Sequence, residues 1–256
     1  MKKALLYSMC ALFALPFAYL ALLSLATQWF YPALLPEGLT FLHWTGLHAG
    51  FFSALAYSCL FAFTIGMFST LAGFLSAQYI AGHPWRRWAL VLAYLPYAFS
   101  PVIYAHCIKF FFLVSNLAGQ VTGVMLAQFI LCYPFAFLLF FRHFDSDLRA
   151  MEDLSATLGA SRTATFFRVL LPVSKDALRL CFAQTFLISW FDYGLSSVIG
   201  LGQVRTLTVL TYQYIGEANT YLAAVTACMI CFPPLLLLWL NQRFVFRSET
   251  LQSETA

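Results

Sequence analysis

The chain has 256 residues, 62% of them hydrophobic and 9% charged, with 28 phenylalanines and a formal net charge of +4. An ordinary soluble domain carries roughly 25% charged residues, so a soluble core of this composition would lack the charge to cover its surface. These numbers exclude a soluble enzyme and point to an all-α, polytopic membrane protein.

The N-terminus reads Lys2-Lys3 and is then apolar from Ala4 to Thr27. A cleaved signal peptide has an apolar region of about 7–15 residues and a small-x-small cleavage site. This stretch is longer and ends in Gln28-Trp29, so a retained first helix is expected. A spanning helix needs about 20 mainly apolar residues. Six stretches qualify, at roughly 4–27, 51–80, 88–108, 121–141, 178–200 and 220–241. The segment between the first two is rich in Trp, Pro and Gly and reads as an interfacial aromatic loop. Pro96, Pro101, Pro134, Pro233 and Pro234 interrupt spans, either as kinks of a transport helix or as packing adjustments.

Lys and Arg placement sets orientation. With the N-terminus inside, twelve basic residues (2, 3, 86, 87, 142, 149, 162, 168, 175, 179, 243 and 247) face the cytoplasm and two, Lys109 and Arg205, face outward. Both termini are therefore expected in the cytoplasm. Because the basic residues sort by topology, the positive charge gives no reason to expect nucleic acid. The expected organisation is a first helix and outer loop over 1–48, a five-helix body over 49–242 with a cytoplasmic loop at about 142–177, and a tail over 243–256.

Chemistry-bearing patterns are sparse. Of seven cysteines only Cys228 and Cys231 have a two-residue gap, and they lie mid-span, where small apolar residues are the simpler reading. The histidines at 43, 48, 83, 106 and 143 form no ligand pair on one helix face, so no metal site is expected. A phosphate-binding P-loop needs a Lys directly after Gly. None of the four lysines (2, 3, 109, 175) follows one, so any ATP must be bound by another subunit. Gly-x-Ser-x-Gly, His-Glu-x-x-His and an Asp pair on separate spans are all absent. With no catalytic residue to name, an intramembrane enzyme ranks below transport, and a scaffold subunit of a membrane complex is the other alternative.

The loop from Arg142 to about Ala177 stands apart. Leu148, Met151, Leu154 and Leu158 recur at helical spacing as one apolar stripe. Asp145, Ser146 or Asp147 can cap its start, and Gly159 sits where a left-handed C-terminal cap would. Ser161 can open a second short helix through Phe166, Phe167 and Leu170, closed by Pro172, and Ser174 can cap the fifth span. Two capped helices around a Gly corner make a stiff knuckle. It could lie on lipid headgroups through Arg162 and Arg168 or dock a protein.

Asp192 is the one acidic residue expected inside a span, on the outward half of the fifth. An ionisable group at membrane depth is a functional candidate, because lipid exposure costs at least ~2.5 kcal/mol. Asp192, with Tyr193 beside it, is a pathway or gate residue on one reading. On the other it is a structural carboxylate bonded to a neighbouring helix.

The loop resembles that of the binding-protein-dependent ABC importer permeases, written Glu-Ala-Ala, three residues, Gly, nine residues, Ile-x-Leu-Pro. Asp153, Leu154 and Ser155 stand at the triplet. Ala156, Thr157 and Leu158 precede Gly159, Ala160 to Arg168 fill the nine-residue gap, and Val169, Leu170, Leu171 and Pro172 close it. Gly, Leu and Pro are kept and the triplet is not. SWFDYG and RTLTVLTYQY further resemble the group serving ferric iron, thiamine, sulfate and polyamines.

The resemblance implies a type I importer transmembrane domain in a bacterial inner membrane. It implies that Asp153 to Ser155, Leu158 to Arg162, Val169, Leu171 and Pro172 couple to a partner ATPase carrying ATP-Mg, present in two copies. A second permease and an extracytoplasmic binding protein complete the implied assembly. The binding protein is expected to meet the segments around Trp29–His48 and Arg205–Asn219.

Overall fold

The computed structural model describes residues 2–27, 29, 33, 35–47, 49–144 and 146–244. All of its regular elements are helices, apart from one isolated bridge between Ala26 and Leu39. Four expected spans appear as long helices: α1 (Lys2–Leu25), α3 (Ala49–Ala81), α6 (Val121–His143) and α13 (Thr220–Phe244). Between the first two lies α2 (Leu42–Thr45). Pro134, Pro233 and Pro234 sit inside continuous helices and do not interrupt them. Membrane helices tolerate the missing donor where neighbours re-satisfy the carbonyl.

The other two expected spans are not single helices. Residues 88–108 fall on α4 (Arg86–Tyr94), a 3-10 turn over Leu95–Ala98, and α5 (Pro101–Val114), whose axes meet at 104°. The break follows from two prolines. Pro96 sits in the tight turn, and Ser100, preceding Pro101, is held extended at φ −65°, ψ 150°. Its Oγ accepts the Ile103 N–H, and α5 starts afresh with Pro at its first position. Residues 178–200 divide into α10 (Lys175–Trp190) and α11 (Gly194–Gly200), separated by Phe191, Asp192 and Tyr193. Among the described residues four helices are long and apolar enough to cross a membrane, or five if the bent α4–α5 pair is one span.

The chain forms two compact units, one of residues 1–57 with 205–236, the other of 58–204 with 237–256. In the first, the Thr27 N–H donates to the Gly38 carbonyl at 3.0 Å, and the Trp29 N–H donates to the Tyr221 hydroxyl at 2.9 Å. His43 stacks on Tyr221 with centroids 5.1 Å apart. The described residues of the aromatic segment are thus pinned at Thr27, Trp29 and His43. The unit also holds α12 (Leu207–Gly216), where Thr211 donates to Thr226 of α13 at 2.9 Å. His48 and residues 245–256 lie outside the described residues.

In the second unit α3 lies directly on α6. A Cβ on Gly73 would sit 2.6 Å from the Ala136 Cβ, so only glycine permits this approach. Above that contact Phe74 packs edge-on against Phe140 at 5.2 Å and tilted against Phe144 at 5.1 Å. The same cluster takes in Leu148, Leu170 and Cys181. Leu148 and Leu170 come from the two arms of the 142–177 loop, so the hydrophobic core itself fixes that loop to the helices.

Candidate functional site

The loop folds as a hairpin of helices. Its first arm is α7 (Ser146–Thr157). Asp145, and the side chains of Ser146 and Asp147 proposed as caps, lie outside what is described. At its end Gly159 takes φ +81°. The Gly159 N–H donates to the Ala156 carbonyl at 3.0 Å and the Ala160 N–H to the Ser155 carbonyl at 3.1 Å. These are the paired bonds of a Schellman cap. Ser161 then opens the second arm, its Oγ accepting the Ala164 N–H at 3.3 Å. The arms are also tied across the corner, where Ser155 Oγ and Thr165 Oγ1 lie 2.6 Å apart.

The second arm does not stop at Pro172. It runs as α8 (Arg162–Thr165), a π-turn over Phe166–Leu170, and α9 (Leu171–Val173) without a gap. Pro172 has no N–H to give, and its ring would press on the carbonyl four residues back. The wide π-turn just before it, closed by the Leu171 N–H on the Phe166 carbonyl, opens the helix enough to admit the ring. Nor does Ser174 cap α10; its Oγ lies 2.9 Å from His143 Nε2 on α6, wholly buried.

The apolar stripe of α7 is divided by its surroundings. Leu148 is buried in the core, whereas Met151, Leu154 and Leu158 are 47%, 61% and 80% exposed. Asp153, Gly159, Ala160, Ser161, Arg162 and Pro172 are exposed as well, and Ser155, Val169 and Leu171 are half-buried. The structure therefore gathers most of the expected coupling residues around one open, cap-stiffened corner. Sequence reasoning placed Leu170 in the second arm but assigned an anchoring role neither to it nor to Glu152. Leu170 is 1% exposed and holds the second arm. Glu152 accepts a hydrogen bond from Gln78 Nε2 of α3 at 3.1 Å. Leu170 carries the signal of helical spacing from Phe166 and Phe167, whereas Glu152 carries none beyond adjacency to the motif.

Asp192 is not inside a helix; it occupies the break between α10 and α11 and is 8% exposed. Its Oδ1 accepts the Leu195 N–H at 3.2 Å. Its Oδ2 accepts the Ser196 N–H at 2.9 Å, the Ser196 hydroxyl at 2.8 Å and Gln128 Nε2 at 3.0 Å. Gln128, on α6 and 1% exposed, also accepts from Ser189 Oγ at 2.6 Å and donates to Ser196 Oγ at 2.9 Å. The carboxylate thus satisfies the freed N–H groups of α11 and ties three helices together. Tyr193 beside it is 36% exposed. Gly194 completes the joint. A Cβ there would lie 3.1 Å from the Val102 N at the start of α5, so the two helix breaks face each other.

No protein-family model matches the chain. It is 27% identical over 246 residues to the putative 2-aminoethylphosphonate transport system permease protein PhnV of Salmonella choleraesuis, covering 90% of this chain and 91% of that one. Over 105 residues, 41% of this chain and 16% of the relative, it is 30% identical to the putative ferric transport system permease protein FbpB 1 of Haemophilus influenzae. A solved bacterial ABC transporter involved in import of the acidic polysaccharide alginate has a chain that superposes with a TM-score of 0.72 at 15% identity, covering 95% of both. Along nine-tenths of its length the chain is similar to a transport-system permease, and it has the fold of a chain of a bacterial ABC importer. The names of the three similar proteins differ in solute and agree in transport, so what this chain shares with them is the scaffold.

Proposed function

We propose that the corner around Gly159 is the surface through which this permease is driven by a separate ATPase. The carrying observation is the exposure of Leu154 and Leu158 beside a Schellman-capped glycine. An apolar ridge on an otherwise charged loop is a protein-docking feature, and a doubly capped, core-anchored hairpin transmits displacement without bending. ATP-Mg belongs to that partner, which has two copies, one for each permease of a pair. A second permease, identical or a sister chain, completes the solute pathway, and an extracytoplasmic binding protein delivers the solute to the outer segments. ATP binding draws the two loops together and turns the pathway outward, and hydrolysis resets it; the ligands act by contacting the two states differently. The assembly lies in a bacterial inner membrane with both permease termini in the cytoplasm.

The test is reconstitution of the complete importer in vesicles. Leu158→Asp is expected to leave the permease in the membrane while the ATPase no longer copurifies and uptake is lost. Full ATPase retention and full uptake in that variant would sink the proposal.

A further inference from the structure

A second polar surface is not used by that reading. At the end of α3 the chain turns through Gly82, His83, Pro84 and Trp85 and enters α4 with Arg86 and Arg87 in its first turn. Two cations at a helix N-terminus oppose the helix dipole. No acidic residue lies in that turn and no side chain caps it. Neither arginine has an ion-pair partner among the described residues. His83 adds a third donor. Its Nδ1 accepts the Trp85 N–H at 3.3 Å, which leaves the proton on Nε2. The cluster is flanked by exposed aromatic rings, Tyr79 at 75%, Trp85 at 68% and Trp88 at 67%.

Depth is fixed by neighbours in the same unit. Gln78 bonds Glu152 of the coupling loop, so the cluster lies at the loop's end of α3. On its other side α4 leads away through Val91, Leu92 and Leu95, each more than half exposed at 58%, 66% and 57%. Arg87 therefore stands about 6 Å, four residues of helix rise, from the first of these exposed apolar side chains. Tryptophan and tyrosine concentrate at that boundary. Directly along α4 from Arg86, at helical spacing, Ala89 and Ala93 form one wall of an apolar furrow of about 250 Å3, closed by Ile80, Pro134 and Phe137. Small residues on α4 and the proline of α6 leave this space open.

The geometry points to a bound anionic phospholipid, its headgroup phosphate held by Arg86, Arg87 and His83 and one acyl chain laid in the furrow beneath. Charge complementarity selects an anion, and the apolar furrow that begins at Ala89, one helical turn along α4 from Arg86, selects a lipid over a free phosphate or a soluble protein.

The full chain would be purified from vesicles containing equal amounts of phosphatidylglycerol and phosphatidylcholine, and retained lipid identified by native mass spectrometry. The wild-type chain is expected to keep one phosphatidylglycerol in preference to phosphatidylcholine. That preference should fall about fivefold for each arginine removed in R86Q and in R86Q/R87Q. A89F/A93F, which fills the furrow and keeps both arginines, should lose the lipid too, and R179Q, which removes a cation elsewhere on the chain, should keep it. Equal retention of the two lipids, or a preference that survives in R86Q/R87Q, overturns the assignment. So does retention unchanged in both furrow and arginine variants with loss of ATPase copurification, which would make the patch a protein contact. Inorganic phosphate competing the lipid away would reduce the site to an anion site and overturn the furrow's part in it.

Discussion

The Gly159 corner and the break at Asp192 handle unpaired backbone groups in opposite ways. At the corner the chain turns in one residue, satisfies its own carbonyls through Gly159 and Ala160, and leaves Leu154, Leu158 and Arg162 facing outward. At the break the chain cannot turn to water, so Asp192, Gln128, Ser189 and Ser196 are spent on one another and on the α11 N–H groups. The exposed corner keeps its contacts open. A joint inside the bundle closes all of them.

That contrast predicts an order of effects. Asp192→Ala strands two backbone N–H groups and the Ser196 hydroxyl in a buried site, at about 1–3 kcal/mol each, and removes one of the two acceptors of Gln128 Nε2. It should lower the unfolding free energy of the solubilised chain most, with Asp192→Asn retaining uptake if the carboxylate is structural. Loss of uptake in a fully stable Asp192→Asn would instead make the charge part of the pathway. Gln128→Leu should come next, at about 2 kcal/mol, read from the same denaturation curves. Gly159→Ala places a side chain at φ +81° with open space around it. The cost is then backbone strain alone, roughly 1–2 kcal/mol, and coupled uptake should fall further than stability does. Leu158→Ser should change stability by no more than about 0.5 kcal/mol while weakening ATPase retention. A stability loss there as large as at Asp192 would erase the distinction between the two regions.

Much of the corner was legible in the sequence because it is built from local signals: a stripe at helical spacing, a Gly at the αL position, and a Ser before the next helix. Its outcome differed where the signal was ambiguous. Pro172 reads as a stop, yet a π-turn carries the helix through it. The two breaks were hidden by the apolar runs on either side, which satisfy a length criterion whether or not the helix is continuous. Their signals were present all the same. Ser100-Pro101 is a cap followed by a first-turn proline, and Asp192 stands three residues before Leu195, whose N–H it accepts. Gln128 was not legible, since a lone glutamine in an apolar run has no local partner; it matters only because the fold sets it against Ser189 and Asp192.

The uninterrupted length of α3 has a mechanical consequence. Its 33 residues rise about 50 Å, against roughly 30 Å for the hydrocarbon layer, and it is bound to the loop through Gln78 and Phe74. A thrust delivered at the corner would pass through those two side-chain contacts and be taken up as axial compression of one strut, carried by its ladder of backbone hydrogen bonds.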